Sequence, residues 1–459
     1  MTHMLLDQTP EEAARTLRSL GIHRFYFVTD SHGKARASHP ELDSIASAMD
    51  TDARDFDGHE GIFCEVSACA DLIHGAFVHR TVRGQGQGGT RFWGYKRFGD
   101  FLTDGIRLSR GMTHKNALAG IWWGGGKGVI SRPPELDVNS RSLRDQLFNE
   151  YGRFISSLRG CYITAEDVGT NTDDMAAIFA ETRFITCIPR ANGGSGNPST
   201  MTALGVVRGM EAALDARAGV NREGKQPHSR ESPLRGKHLV VQGVGHVGEV
   251  IISLALKAGA RVTATDINVS RLDRLRDQWH GSPVELVCTR PDDITPLDIP
   301  CDVLCPAATG GVLNPVTIPL IQAPIICGAA NNQLEDPQRD SDLLAEHGIL
   351  YMPDFLVNRM GIVNCANEQY GYIEGDSAFA RHLDYTWEYS VYQTSLQVIE
   401  RAAREGVSTH QAAVQSAEEL SQVVHPIWGH RGQEIIESLS DPKSSEDAWV
   451  NSSSAEQGD

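Results

Sequence analysis

Two lysines twelve residues apart, Lys115 and Lys127, bracket the run KNALAGIWWGGGK. Two ammonium groups brought into one apolar pocket repel each other, and both resist losing water. Each effect lowers a lysine pKa toward working pH, which is what a general base needs. Gly124, Gly125 and Gly126 stand directly before Lys127, and such a run is expected to turn sharply and admit a ligand close to the backbone. The plain alternative is a surface lysine after a flexible loop. An acidic pair, Glu166 and Asp167, follows the strand-like Tyr162-Ile163-Thr164. Carboxylates at a strand exit suit acid–base work, although an acidic pair ahead of a helix also serves as a cap.

A third constellation binds rather than reacts. A strand over 238–242 runs into Gly243-Val244-Gly245-His246-Val247-Gly248 and an amphipathic helix, and a second strand over 261–265 ends in Asp266. GxGxxG alone is weak evidence, but between strand and helix, with an acid eighteen residues further on, it has the context of a dinucleotide fingerprint. The first glycine makes the turn, the second admits a pyrophosphate and the third packs helix on strand, while the helix N-terminus attracts phosphate. Asp266 would accept from ribose hydroxyls and repel a 2′-phosphate, favouring NAD over NADP, with Arg271 the one residue placed to favour NADP.

These groups need a frame. A chain of 459 residues is too long for one core, so two domains are expected. A net charge of −17 weighs against nucleic acid or an anionic membrane as partner. No apolar run reaches the ~18 residues of a membrane span. The acidic start has no signal-peptide core. Nine cysteines without CxxC spacing or a Cys/His cluster point to reduced thiols in a cytoplasm, with no metal site. Helices are expected over 1–20, 98–112, 143–158, 376–405 and 409–424, with another opening at Pro198-Ser199-Thr200. Strands are expected at 25–28, 61–66 and 75–79. The glycine-rich 84–95 reads as a loop, and the polar 218–235 as a solvated connection. Short strands near 303, 324 and 351, with loops at their C-terminal ends, complete a parallel sheet. The Ser/Glu/Asp-rich end from 441 reads as disordered.

In order along the chain, GGTRFW, GMTHKNALAG, GGGKGVI, YITAEDVGT, SGNPS, VQGVGHVG, TDIN, NNQL and PDFLVN make it resemble the glutamate/leucine/phenylalanine/valine dehydrogenases, most like the leucine dehydrogenase branch. The resemblance implies an α/β fold: an N-terminal substrate and dimerisation domain, a Rossmann NAD-binding domain, and C-terminal helices returning to the first domain. The expected division is 1–75 extension and edge sheet, 76–197 substrate domain, 198–365 dinucleotide domain, 366–440 C-terminal helices and 441–459 tail. It implies reversible, NAD-dependent deamination of an L-amino acid by a homo-oligomer. Lys127 matches the residue activating water, Asp167 the proton shuttle and Lys115 the grip on the α-carboxylate. Gly88 and Gly89 match the substrate loop. Asn332 and Asn358 match asparagines near nicotinamide and substrate. Thr200 and Ala308 join the fingerprint as cofactor contacts. Gln87, Ala165, Ile362 and Cys365 match the side-chain pocket. Glutamate enzymes carry lysine and leucine enzymes leucine where Gln87 stands, so a polar or mixed substrate side chain is expected. Trp122 and Trp123 either line an enlarged pocket or fill core. Asn358-Arg359-Met360-Gly361 replaces the family's NAGG, placing bulk next to the cleft. The competing readings are a non-standard amino acid or imine as substrate, and an inactive NAD-binding regulatory protein.

Overall fold

The computed structural model describes residues 2–52, 54–220, 231–291, 293–369, 371–441 and 449–451. The polar stretch 221–230, and all of the expected tail beyond 441 except 449–451, lie outside these.

Eight strands form the first sheet: β1 (Arg24–Thr29), β2 (Ala35–Ala37), β3 (Gly61–Val66), β4 (Ile73–Arg80), β5 (Gly86–Gln87), β6 (Thr90–Trp93), β7 (Gly124–Ser131) and β8 (Tyr162–Ile163). Their order is β2-β1-β3-β4-β7-β5-β8, with β6 also on β7. The pairings from β2 to β7 are antiparallel; β5 and β6 join β7 in parallel, and β8 joins β5 in parallel. Residue 75, expected to end an extension, lies inside β4, and the sheet continues unbroken from β1 across it. Every residue of β3 and β7 is buried, since helices and terminal segments cover both faces. The helix Phe98–Leu118 packs on β4 and β7.

The run Gly124 to Gly126 turns out to be strand, not turn, whereas of the glycines in the 84–89 run only Gly86 lies in a strand. Gly124, Gly125 and Gly126 open β7, and none has a positive φ. What forbids a side chain there is proximity. A Cβ at Gly124 would lie 2.0 Å from the Arg80 carbonyl oxygen, and one at Gly125 1.9 Å from Thr113 Oγ1. In the 84–95 stretch only Gly84 has a left-handed φ, and a Cβ on Gly88 would sit 1.9 Å from the Gly126 oxygen. Composition marks both runs as glycine-rich but does not distinguish a turn from close-packed strands.

The second sheet is wholly parallel: β9 (His238–Gln242), β10 (Arg261–Asp266), β11 (Val284–Cys288), β12 (Val303–Pro306), β13 (Ile325–Cys327) and β14 (Leu350–Met352). Its order, β11-β10-β9-β12-β13-β14, reverses between β9 and β12. That is the doubly wound dinucleotide topology, whose ligand crevice lies at the reversal.

Two expected helices are broken by caps. Thr9 and Glu12 form a capping box that restarts the N-terminal helix at Pro10. The expected helix 376–405 is short turns up to Leu383, then Val391–Glu405 with Ser390 as its cap. The helix Thr409–Ser421 returns to pack on Phe98–Leu118 of the first domain. Trp449, in the stretch expected to be disordered, is 4% exposed and donates from Nε1 to Ser157 Oγ at 2.9 Å. A polar composition concealed one anchoring aromatic.

Arg359 also departs from expectation. It is fully buried, donating to the carbonyls of Leu118 at 2.5 Å and Tyr389 at 2.6 Å, and to Thr394 Oγ1 at 3.1 Å. Burial pushes its pKa down to about 9. It joins the end of helix Phe98–Leu118 to the C-terminal helices. Arg359→Ala strands two buried carbonyls and is expected to cost about 3 kcal/mol of stability. Chemical denaturation checks this; a change within about 0.5 kcal/mol, as at an ordinary surface site, would refute it.

Candidate active site

Parallel register sets one face of the first sheet. Gln87 on β5 pairs with Gly125 of β7 on one side and Ile163 of β8 on the other. Lys127 lies two residues past Gly125, and Ala165 two past Ile163. The chain stays extended there, because Gly88 N donates to Ile163 O and Thr90 N to Ala165 O. Strand side chains alternate, so Gln87, Lys127, Ile163 and Ala165 share a face. Asp167 follows on the same parity. Gly88 and Gly89 cross this region without side chains, and a Cβ on Gly89 would lie 2.8 Å from Asp167 Cβ.

The expected reactive pair meets. Lys127 Nζ donates to Asp167 Oδ2 at 2.8 Å. Arg91 Nε donates to the same oxygen at 3.3 Å and its Nη1 grips both oxygens of Asp104, to which the Tyr95 hydroxyl donates at 2.6 Å. Burial lowers the Lys127 pKa, Asp167 opposes this, and Arg91 adds to the lowering. Burial would raise the Asp167 pKa, but Lys127 and Arg91 outweigh it and hold the carboxyl at about 2. Desolvation therefore acts on Lys127 more than a neighbouring lysine does, and the cation beside it is Arg91.

Lys115 comes from the helix Phe98–Leu118 and crosses to the second domain. Its Nζ donates to Asn331 Oδ1 at 3.4 Å, an oxygen that also accepts from Asn358 Nδ2 at 2.8 Å. Burial takes the Lys115 pKa down to about 8, with Asp354 opposing and Lys127 contributing. Lys127 thus adds to the lowering at Lys115, while the cation acting on Lys127 is Arg91. Asn332, expected beside the cofactor, has φ 54° and donates from its backbone to Asp354 Oδ2 at 2.6 Å. Its neighbour Asn331 is the one that meets Lys115.

Of the expected pocket wall, Ala165 and Cys365 fall in one buried cluster with Ile163 and Trp123. Ile362 packs in an adjoining cluster with Ala119 and Met360. Trp123 is buried and donates to Gln369 Oε1 at 2.7 Å, whereas Trp122 is 39% exposed beneath the Arg83 guanidinium. Cys365 Sγ lies 3.0 Å from Cys187 Sγ. The helix carrying the wall, Met360–Gln369, is fastened by Glu368, which accepts from the backbone N–H groups of Cys187, Ile188 and Ser195 and from the Ser195 hydroxyl.

The residues at the second sheet fit a dinucleotide. Gly243 has φ 102°, and a Cβ there would meet Ala308 Cβ at 2.8 Å; one on Gly248 would meet the Gly243 oxygen at 2.1 Å. Gly245, the cap of the helix His246–Lys257, has open space where its Cβ would be. Turn, packing and ligand approach thus fall to separate glycines. Val244 N donates to Asp266 Oδ2 at 2.7 Å, and Arg271 stands 3.7 Å from that oxygen. His246 is exposed, Val247 packs against the core, and Thr200 is exposed in the first turn of the helix Ser199–Arg217. Among the described residues no group of His, Cys, Asp and Glu is arranged to hold a metal, and no helix is long and apolar enough to cross a membrane.

Sequence reasoning missed Arg91, Asp104, Asn331, Asp354 and Glu368. Arg91 was visible inside GGTRFW, and Asn331 beside Asn332. Glu368 carries no local signal, because its partners are distant in sequence.

Comparison with known proteins agrees with this geometry. Residues 72–184 match the family model described as Glu/Leu/Phe/Val dehydrogenase, dimerisation domain, and 193–424 match that of Glutamate/Leucine/Phenylalanine/Valine dehydrogenase. Leucine dehydrogenase of Bacillus subtilis is 39% identical over 366 residues, 79% of this chain and 91% of its own. L-tryptophan dehydrogenase of Nostoc punctiforme is 37% identical over 363 residues, 79% and 93% of the two chains. The crystal structure of the latter superposes with a TM-score of 0.63 over 79% of this chain and 96% of that one, at 33% identity. The hetero-hexameric glutamate dehydrogenase of Thermus thermophilus, at 22% identity and a TM-score of 0.61 over 90% of this chain and 94% of its own, shares the fold.

Glu166 is the second acid at the strand exit. Its Oε1 accepts from Asn197 Nδ2 at 3.1 Å, and its Oε2 is buried without a partner. Burial raises its pKa to about 7. The folded carboxyl holds its proton more tightly than the unfolded one, so the stability it contributes is complete below about 4.5 and is lost as pH rises through about 7. Glu166→Gln is therefore expected to unfold at a higher temperature than the parent at pH 8, with the gap closing toward pH 4.5. Parallel melting curves across that range would refute the buried, proton-holding carboxyl.

Proposed function

The chain belongs to the Glu/Leu/Phe/Val dehydrogenase family, and on that premise we propose that it oxidatively deaminates an L-amino acid with NAD and water, yielding a 2-oxo acid, ammonium and NADH. The observation that carries this is the desolvated Lys127–Asp167 pair, 2.8 Å apart, with Lys115 reaching across to Asn331.

The roles follow from charge and position. Lys115 holds the substrate α-carboxylate, a charge-assisted contact that its partly buried ammonium supports. Asn358, whose Oδ1 is buried without a partner, offers an acceptor at the same end. Asp167 takes a proton from the substrate amino group, freeing its lone pair. Gly243 to Gly248 and Asp266 would hold NAD, which would supply the acceptor for the α-hydrogen as hydride. The resulting substrate imine is attacked by water whose proton Lys127 removes, and Asp167 returns a proton to the departing nitrogen. Burial keeps Lys127 poised for this, while Arg91 and Asp104 fix the Asp167 carboxylate. NAD is favoured over NADP by Asp266 at the end of β10, whose carboxylate accepts from the Val244 and Asn268 N–H groups and whose charge would repel a 2′-phosphate. Assembly as a homo-oligomer through the first domain is supported by the dimerisation-domain match, and a reducing cytoplasm by nine free cysteines. The intact Lys115, Lys127 and Asp167 set favours catalysis over an inactive regulatory role.

Lys127→Ala is expected to cut kcat by about 10²–10⁴ while NAD still binds, read by steady-state kinetics and calorimetric titration. Near-parental turnover in that variant would show that another group activates water. Asp266→Ala is expected to lower the NAD-over-NADP ratio of kcat/KM by about tenfold or more, the scale of one lost charged hydrogen bond. An unchanged ratio would overturn the cofactor assignment.

A further inference from the structure

The thiols of Cys187 and Cys365 are free and buried, and their sulfurs lie 3.0 Å apart. A disulfide bond is about 2.0–2.1 Å long, so the sulfurs need close by only about 1 Å to be joined. The backbone holds Cys187 in this place at a cost. Its φ is 64°, in the left-handed region that glycine enters freely and that strains a residue with a Cβ. Hydrogen bonds on either side keep it there. Thr186 N donates to Thr164 O at 2.9 Å, just past β8, and Cys187 N donates to Glu368 Oε2 at 2.9 Å. A strained residue beside the first sheet thus presents its thiol to the one on the helix Met360–Gln369. That helix starts two residues past Asn358 and packs against Ser199–Arg217, which opens the second domain. Its ties to the first sheet come from Glu368 and Gln369, hydrogen bonds that can break and re-form as the lobes move.

We propose that Cys187 and Cys365 form an oxidation site: hydrogen peroxide joins them as a disulfide that ties the helix Met360–Gln369 covalently to the first sheet and slows turnover, and a thiol reductant undoes it. One sulfur attacks a peroxide oxygen, the O–O bond breaks, and a sulfenic acid forms while the departing hydroxide takes the thiol proton as water. The second sulfur attacks the sulfenic sulfur, the S–O bond breaks, and that hydroxide takes the second proton. Two thiols give up two electrons, one peroxide accepts them, and two waters form. Cys365 against it and burial hold the Cys187 thiol well above its usual range. The pair is therefore inert at rest and reacts when the helix lifts from the segment beside it. Once one sulfur is oxidised, the other is the nearest nucleophile. The disulfide replaces ties that can yield with one that cannot, so a cycle that needs the lobes to shift runs more slowly. The crosslink itself does not depend on the deamination reading; only its effect on rate does.

The test treats the full chain with hydrogen peroxide, blocks the remaining thiols by alkylation and maps the peptides by mass. The expected result is a peptide pair joined through residues 187 and 365 and lighter by two hydrogens, with a severalfold fall in kcat that dithiothreitol restores. Cys69 and Cys288 are exposed and will also oxidise, so the joined peptides and not a thiol count identify the site. Cys187→Gly removes the thiol and suits the left-handed backbone. It is expected to keep the reduced parent's rate and to lose the dithiothreitol-reversible inhibition, as is Cys187→Ser, which leaves the strain in place. Failure to find the 187–365 pair at peroxide doses that oxidise Cys69 and Cys288 would overturn the proposal. So would a crosslink that leaves kcat unchanged, or a reversible inhibition that persists in Cys187→Gly. If no L-amino acid is turned over, the deamination reading falls alone; the joined peptides, and slower hydrogen exchange over 360–369 after oxidation, still decide this one.

Discussion

A lysine and an aspartate held together out of water govern the rest of this molecule. Removing either charge from solvent alone is costly, and the loss is offset only when partners are in place. Here Lys127 and Asp167 offset one another, and Arg91 tips the balance toward an ionised aspartate. Asp104 in turn holds Arg91, and the Tyr95 hydroxyl donates to Asp104. The chain of charges runs from a strand in the sheet interior to the helix Phe98–Leu118, the same helix that delivers Lys115. One helix thus both delivers Lys115 and, through Asp104 and Arg91, supports Asp167.

Bringing these groups together requires that the backbone be unusually close-packed. The strand carrying Lys127 is pressed between Thr113 on one side and Tyr162 on the other, leaving no room for a Cβ at Gly125 or Gly126. Glycine is used here for thinness. At the dinucleotide turn the logic divides: Gly243 needs its backbone angle, Gly248 needs contact, and Gly245 leaves space. The same residue type therefore answers three physical demands in one protein.

That variety explains what the sequence could and could not convey. The two lysines, the acidic pair and the fingerprint were legible because each rests on local spacing, and strands 61–66 and 238–242 matched in full. The run Gly124 to Gly126 was misread as a turn, because composition reports the absence of side chains and not the neighbour that requires it. The helix expected over 376–405 failed at Ser390, where a side-chain cap outweighs residual helical pattern. Arg359 looked like an obstruction in the cleft; its acceptors, Leu118 and Tyr389, are distant in sequence, and only the fold shows that it turns inward. Trp449 is the converse case, one aromatic in a polar stretch that would otherwise promise no order.

The carboxylate of Glu368 has a consequence for rigidity. It rivets the helix Met360–Gln369 to the segment 187–195, just past the strands of the first sheet, while Gln369 links the same helix to Trp123 and Gln85. The helix also lies along Ser199–Arg217, which packs on His246–Lys257 behind the dinucleotide turn. Tied to both sheets, it cannot stay undisturbed when one shifts against the other.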